Sequence, residues 1–332
     1  MGEEKRLKIL LVRVSSLGDV LHNLPMVADI LRRHPGATID WVVEEGYQSL
    51  VRLHPQVRKI IPWALRRWRK SLGKLETRAE IKGFFRTLRE EEYDYVFDTQ
   101  GLLKTGIIMG AARVRRGGKK VGLANGSEGS GYEGISRFFH TDSIPLDPRT
   151  HAVARGRMVA GAALGYPINT APDFGLPAPQ GAQRPAFLPP DDYAVFFHGT
   201  ARDAKKWPHA DWIALGQALA PMPVLLPWGS QSELEDAQSL ASALPNARVL
   251  PKLSMMDAVG VAQHARLAVG VDTGLTHIAA AFVRPTVEIY CDSPKWKTEG
   301  NWSDRIVNLG DMGMPPSAPE VIAAARRLLE TS

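Results

Sequence analysis

A strand–helix alternation runs through this chain, stops once in a run of prolines, and begins again. Residues 7–14 are apolar and β-rich, 20–33 carry Val20, Leu21, Leu24, Val27, Ala28 and Leu31 at helical spacing, and 38–43 are again strand-like. Residues 93–98 and 102–112 continue the pattern. Between 168 and 190 the chain turns irregular, with Pro172, Pro177, Pro179, Pro185, Pro189 and Pro190 following Pro167. A proline-rich run without periodicity reads as an interdomain linker. Strands at 193–198, 223–226, 266–271 and 286–290 then alternate with helices at 211–220, 231–243 and 274–282, and a last helix covers 319–330. Such alternation implies parallel strands with crossover helices.

The expected architecture is therefore α/β: two doubly wound, Rossmann-like domains facing a central cleft, at 1–167 and 191–316. The segment 317–332 is expected to pack back on the first domain. The length, 332 residues, suits two hydrophobic cores better than one. No run approaches the roughly 18 apolar residues of a membrane span. The stretch 7–14, interrupted by Lys8 and Arg13, reads as a buried first strand and not a signal peptide. A single cysteine, Cys291, excludes an internal disulfide and fits a reducing cytosol.

Ligands of doubly wound sheets bind where strands end and loops lead into helix N-termini. Three such loops stand out. The first strand ends in Ser15-Ser16-Leu17-Gly18-Asp19, where Asp19 suits either a helix cap or, facing a cleft, a general base. The strand at 193–198 ends in Gly199-Thr200-Ala201-Arg202-Asp203-Ala204-Lys205-Lys206, a small hydroxyl-bearing turn followed by lysines, as suits a phosphate. Residues Asp272-Thr273-Gly274-Leu275-Thr276-His277 open a helix whose free N–H groups form an anion site. Gly274 lets a phosphate approach the backbone, and His277 stands one turn in.

Charge is concentrated in a fourth place. From Arg58 to Arg89 there are 11 Lys/Arg against Glu76 and Glu80, a net +9 in a chain of net +6, which leaves the remainder at −3. The segment centres on Trp63-Ala64-Leu65-Arg66-Arg67-Trp68-Arg69-Lys70, with no Glu at i±4, and points to an anionic partner. The interleaved tryptophans suit a membrane interface or a sugar face. Without a recognised module the patch does not indicate nucleic acid. The sequence holds no phosphate loop of the Walker type, no His-Glu-x-x-His and no Asp-x-Asp, so no carboxylate-held metal is indicated. Gly129-Ser130-Gly131-Tyr132-Glu133-Gly134 fits the dinucleotide pattern but follows no strong strand, and no suitable acid lies about twenty residues on.

Taken with the stretches SSLGDVLHNLP (15–25), DWVVEEG (40–46), IPWALRRWRK (61–70), DTQGLLK (98–104), 200–207, LPWG (226–229), 250–252 and 272–277, the chain resembles the type I lipopolysaccharide heptosyltransferases of glycosyltransferase family 9, enzymes of the GT-B class. The resemblance spans nearly the whole chain. It implies an inverting transfer of L-glycero-D-manno-heptose from ADP-heptose onto the Kdo of Kdo2–lipid A, with no cofactor, at the cytoplasmic face of the inner membrane. It makes Asp19 the base. Thr200, Ala201, Lys205, Glu235, Leu253, Asp272, Thr273, Gly274 and His277 become the donor site, Glu235 on the ribose. Arg66, Arg67, Arg69, Lys70, Gln100 and Lys104 become the acceptor site, beside an anionic membrane. Ala201 stands where a second threonine is common, Leu253 where a methionine packs on the adenine, and 122–143 departs from better-known members, leaving its acceptor contacts unassigned. Rival readings are a type II or III enzyme with a heptose acceptor, a nicotinamide-binding oxidoreductase, and a non-catalytic anion-binding membrane protein.

Overall fold

A computed structural model describes residues 6–178 and 184–331. The chain forms two compact units that divide between Gly175 and Leu176, inside the stretch expected to be the linker. Part of that stretch, 179–183, lies outside the described residues. Its first half belongs to the first unit: Arg157, paired with Asp29 at 2.6 Å, also donates to the Thr170 carbonyl at 2.9 Å.

The first unit runs β1 (Lys8–Val12), α1 (Leu17–Leu21), α2 (Leu24–Arg33), β2 (Thr38–Glu44), α3 (Gln48–Arg52), β3 (Val57–Trp63), α4 (Leu65–Trp68), α5 (Leu75–Leu88), β4 (Glu92–Asp98), α6 (Leu103–Ala111), β5 (Arg113–Leu123), β6 (Asp142–Ile144) and α7 (Ala152–Leu164). Its six strands lie in the order β3-β2-β1-β4-β5-β6, each pair parallel. Strands covered by helices on both faces need apolar residues at consecutive positions. Ile9, Leu10, Leu11 and Val12 of β1 are accordingly all buried. The single helix expected at 20–33 is two, because Pro25 lacks the N–H that a continuous helix needs and instead sits in the first turn of α2.

The second unit runs β7 (Ala194–Phe197), α8 (His209–Ala218), β8 (Val224–Leu226), α9 (Gln231–Ala243), β9 (Ala247–Val249), α10 (Met255–His264), β10 (Leu267–Val271), α11 (Gly274–Ala281), β11 (Thr286–Tyr290), β12 (Ile306–Gly310) and α12 (Ala318–Glu330). Its strands are ordered β12-β11-β10-β7-β8-β9, again parallel. Val321, Ala325 and Leu328 of α12 are buried in the second unit's core with Trp212 and Leu215 of α8.

Each sheet has one point where the strand order reverses, between β1 and β4 in the first unit and between β7 and β10 in the second. At such points the loops leaving adjacent strands diverge and open a crevice at the strands' carboxyl ends. In the first unit these are the loops carrying Asp19 and Gln100–Lys104. In the second they carry Thr200–Lys205 and Asp272–His277.

Candidate functional site

In the first unit the loop after β1 caps its own helix. Ser16 is the N-cap of α1, and Oδ2 of Asp19 accepts from both the Ser16 N–H and its hydroxyl, each at 2.9 Å. Asp19 is thus the returning carboxylate of a capping box and not the N-cap itself. Its other oxygen, Oδ1, lies 2.5 Å from Nη2 of Arg13. Burial alone would raise the Asp19 carboxyl, but the Arg13 guanidinium and the two Ser16 bonds outweigh it and hold the group at about 2. Arg13, buried and anchored on the Thr99 carbonyl, was not singled out from the sequence. Its only signal there is a charge inside an apolar run.

The loop after β4 meets the same place. Asp98, fully buried, accepts from the N–H groups of Gln100 (2.8 Å) and Gly101 (3.0 Å) and from the Thr105 hydroxyl (2.8 Å). That clamp turns the chain so that Gln100 and Lys104 both donate to the Ser15 hydroxyl, at 3.3 and 3.0 Å. Gly101 makes the turn with φ +70, and a Cβ there would strike the Tyr132 ring. The dinucleotide-like segment is part of this support: Glu133 donates its N–H to the Gly101 carbonyl (2.8 Å) and accepts from the Leu103 N–H (2.5 Å). Lys104 is held below the usual lysine range by burial and by the charges of Arg66, Arg69 and Arg13, against the pull of Glu44.

The basic cluster differs from its sequence reading in two ways. Trp63 and Trp68 point inward. They pack edge to face at 5.0 Å and join Phe84 in the first unit's core, with Trp68 donating to Glu80 at 2.8 Å. They are too buried for a membrane or sugar contact. Nor do the arginines lack acids, which arrive from other elements: Arg67 pairs with Glu45 (3.1 Å) and Glu80 (2.7 Å). Arg66 takes the Glu44 carboxylate on its backbone N–H at 3.5 Å and lays its guanidinium over Tyr47 at 5.7 Å. Among the described residues Arg69 and Lys70 are exposed without an ion pair. Arg66, Arg67 and Lys70 line an open cavity of about 310 Å³ with Glu44, Glu45 and Tyr47. Burial pushes the Glu44 carboxyl up.

In the second unit the structure joins Lys205, Asp272 and His277 directly. Lys205, in the short 3-10 turn Asp203–Lys205, donates to Oδ2 of Asp272, which also accepts from Ser293 Oγ at 2.7 Å. Oδ1 of Asp272 receives Thr298 Oγ1 at 3.2 Å and His277 Nε2 at 3.0 Å. The ring's Nδ1 lies 2.8 Å from Oε1 of Glu288, which is wholly buried on β11. Burial opposes a charge on His277, but the two carboxylates outweigh it and push the ring up to about 10. Burial likewise favours a neutral Asp272, yet His277 and Lys205 hold it well below the usual carboxylate range. Thr273 is the N-cap of α11 and Gly274 its first residue, so the helix's free N–H groups open here. Glu288, Ser293, Thr298 and Tyr290 were missed in the sequence, although an acid within the apolar strand Thr286–Tyr290 was a readable signal.

The remaining donor candidates are less connected. Thr200, half-buried, and Ala201, exposed, lie in the turn between β7 and Lys205. Glu235 is exposed on α9 with Gln231 as its partner at 3.4 Å. The acid set against this turn is Glu233, which a Cβ on Gly199 would meet. Leu253, half-buried, precedes the Ser254 cap of α10. Lys206 pairs with Asp236 (3.0 Å) and Asp203 (3.2 Å). Among the described residues no cluster of His, Cys, Asp and Glu could hold a metal, and no helix is long and apolar enough to cross a membrane.

Comparison with known proteins bears on these clusters. Residues 81–321 match the model of glycosyltransferase family 9 (heptosyltransferase). Lipopolysaccharide heptosyltransferase 1 of Pseudomonas aeruginosa is 41% identical over 287 residues, 86% of this chain and 78% of that protein. The Escherichia coli K12 protein of the same name is 38% identical over 294 residues, 86% of this chain and 88% of the other. Among solved structures, E. coli heptosyltransferase WaaC with ADP superposes with a TM-score of 0.83 at 32% identity, covering 97% of this chain and all of that one. WaaC with ADP-2-deoxy-2-fluoro heptose gives 0.77 at 33%, covering 98% and 99%.

Proposed function

Because the chain belongs to glycosyltransferase family 9 and is a GT-B-type glycosyltransferase, we propose that it transfers L-glycero-D-manno-heptose from ADP-heptose to the Kdo of Kdo2–lipid A, inverting the anomeric carbon. The observation that carries this is the pairing of chemistries at the two strand-order reversals. One holds an ionised carboxylate among cations, the other a lysine and an open helix N-terminus. The donor reading is further supported by the solved structures of E. coli WaaC with ADP and with ADP-2-deoxy-2-fluoro heptose.

In this reading Asp19 takes the proton of the attacking Kdo hydroxyl as the new C–O bond forms at the anomeric carbon. The bond to the β-phosphate breaks from the opposite side, and ADP leaves with the electron pair. Lys205 and the N–H groups at the start of α11 receive the charge that builds on the leaving diphosphate. A carboxylate held at about 2 is a weak base. It suits a reaction whose attacking hydroxyl loses its proton late, as the anomeric carbon becomes cationic. Thr200, Ala201, Thr273 and Gly274 line the donor diphosphate, His277 and Asp272 fix Lys205, and Glu235 and Leu253 take the ribose and adenine. Arg66, Arg69, Lys70, Gln100 and Lys104 face the acceptor's carboxylates and phosphates at the membrane's cytoplasmic face, with Arg67 braced by its two glutamates.

The test is product formation from ADP-heptose with two acceptors, Kdo2–lipid A and its heptosylated product, followed by NMR of the new linkage. Transfer to the first with an inverted anomeric centre supports the reading. Transfer only to the heptosylated acceptor would make this a type II or III enzyme, and a retained configuration would overturn the single displacement.

A further inference from the structure

Four charged groups in the second unit stand in a row of alternating sign: Glu288, His277, Asp272 and Lys205. Glu288 is a fully buried acid at the middle of β11, which pairs with β10 on one side and β12 on the other, and burying a carboxylate without partners is unfavourable. It is fully used. Oε1 faces His277 Nδ1 at 2.8 Å, while Oε2 accepts from the Gly300 N–H at 2.8 Å and the Tyr290 hydroxyl at 3.1 Å. Both oxygens of Glu288 are thereby engaged. The other ring nitrogen faces Asp272 at 3.0 Å. Carboxylates only accept, so a ring between two of them carries a proton on both nitrogens. Asp272 in turn faces Lys205, and the groups that surround the ring are Asp272 from the end of β10, Glu288 and then Tyr290 from β11, and Lys205 through Asp272.

We propose that Glu288 is a positioning residue that holds His277 as an imidazolium, so that Asp272 keeps one oxygen for His277 and the other for Lys205 when a diphosphate arrives. With the ring charged, the four groups sum to zero. With the ring neutral they sum to −1, beside the place where an anionic donor must bind. The inference rests on the donor reading above and adds a residue that does not itself touch the donor.

The experiment joins two measurements on the full chain. In protein labelled with 15N-histidine, the His277 signals, assigned by their loss in His277→Asn, should be those of a doubly protonated ring at pH 8. In Glu288→Gln they should titrate to the neutral form below pH 8. By calorimetry with ADP, the ratio of the variant's Kd to that of the wild type should grow roughly tenfold between pH 6 and pH 9, the effect of one unit charge near the diphosphate. A neutral His277 in the wild type at pH 8 overturns the proposal, even if Glu288→Gln does not fold. A ratio that stays flat with pH overturns it too. Absence of ADP binding by the wild type would instead sink the donor reading, and the labelled ring would still decide the charge state.

Discussion

Nη2 of Arg13 lies 2.5 Å from Oδ1 of Asp19, while Oδ2 of the same carboxylate closes the capping box of α1. One side chain therefore holds the helix start and is kept ionised by a buried cation. If Asp19 is the base, Asp19→Asn should leave ADP affinity unchanged while lowering kcat by at least ~10²-fold, the usual scale for a lost general base. Its depressed pKa has a definite sign. A carboxylate lowered to about 2 contributes stability that is present above its ordinary value of 3.8 and lost as pH falls through about 2. Activity should thus show no acidic limb from Asp19 between pH 5 and 8, and a limb there that Asp19→Asn removes would contradict the depressed pKa of Asp19.

The neighbouring lysines separate the donor reading from a general effect of charge. Lys205 meets Asp272, whereas Lys206 meets Asp236 and Asp203. Lys205→Ala should weaken ADP binding by about 1.5–3 kcal/mol, the scale of a charge-assisted hydrogen bond. Lys206→Ala should cost clearly less. Calorimetry on the three proteins gives the comparison, and equal losses for the two variants would mean that only overall charge is being sensed.

What could be read ahead of the structure was the part set by local pattern. Parallel α/β order, the two units and the loops at strand ends all follow from periodicity and from prolines, which act within a few residues. What could not be read was set by contacts between distant residues. Glu80, 13 residues on, was in the count of acids for the basic segment, but Glu45 reaches Arg67 from 22 residues upstream, outside that segment, and escaped it. Glu288 approaches His277 only when β11 pairs with β10. The tryptophans were misplaced for a related reason: their sequence neighbours are cations, but α4 follows β3 at once and turns both rings onto Phe84 of α5.

That inward packing makes a prediction opposite to a surface role. Trp68 is buried at 4% exposure, packed edge to face against Trp63 and Phe84 and bonded through its indole N–H to Glu80. Trp68→Ala removes a large core side chain and should destabilise the protein by about 3–5 kcal/mol. Denaturant unfolding measures it. A loss under about 0.5 kcal/mol combined with weakened vesicle binding would restore the surface role.

The acceptor reading turns on which cations remain available. Arg67 is tied to two carboxylates, whereas Arg69 and Lys70 are exposed without an ion pair among the described residues, and Arg66 rests on Tyr47 beside the cavity. A basic residue near an anionic lipid surface contributes about 1 kcal/mol. Replacing Arg66, Arg69 and Lys70 together with Ala should therefore raise the KM for Kdo2–lipid A and weaken sedimentation with anionic vesicles, while the Kd for ADP stays within twofold. Arg67→Ala should do less to acceptor binding, because its charge is already opposed by Glu45 and Glu80. Added salt should raise the acceptor KM of the wild type more than that of the triple variant, since screening acts only on charges still present. Identical acceptor kinetics for the wild type and the triple variant at low and high salt would reduce the cluster to a solvated face, where substitutions stay within about 0.5 kcal/mol.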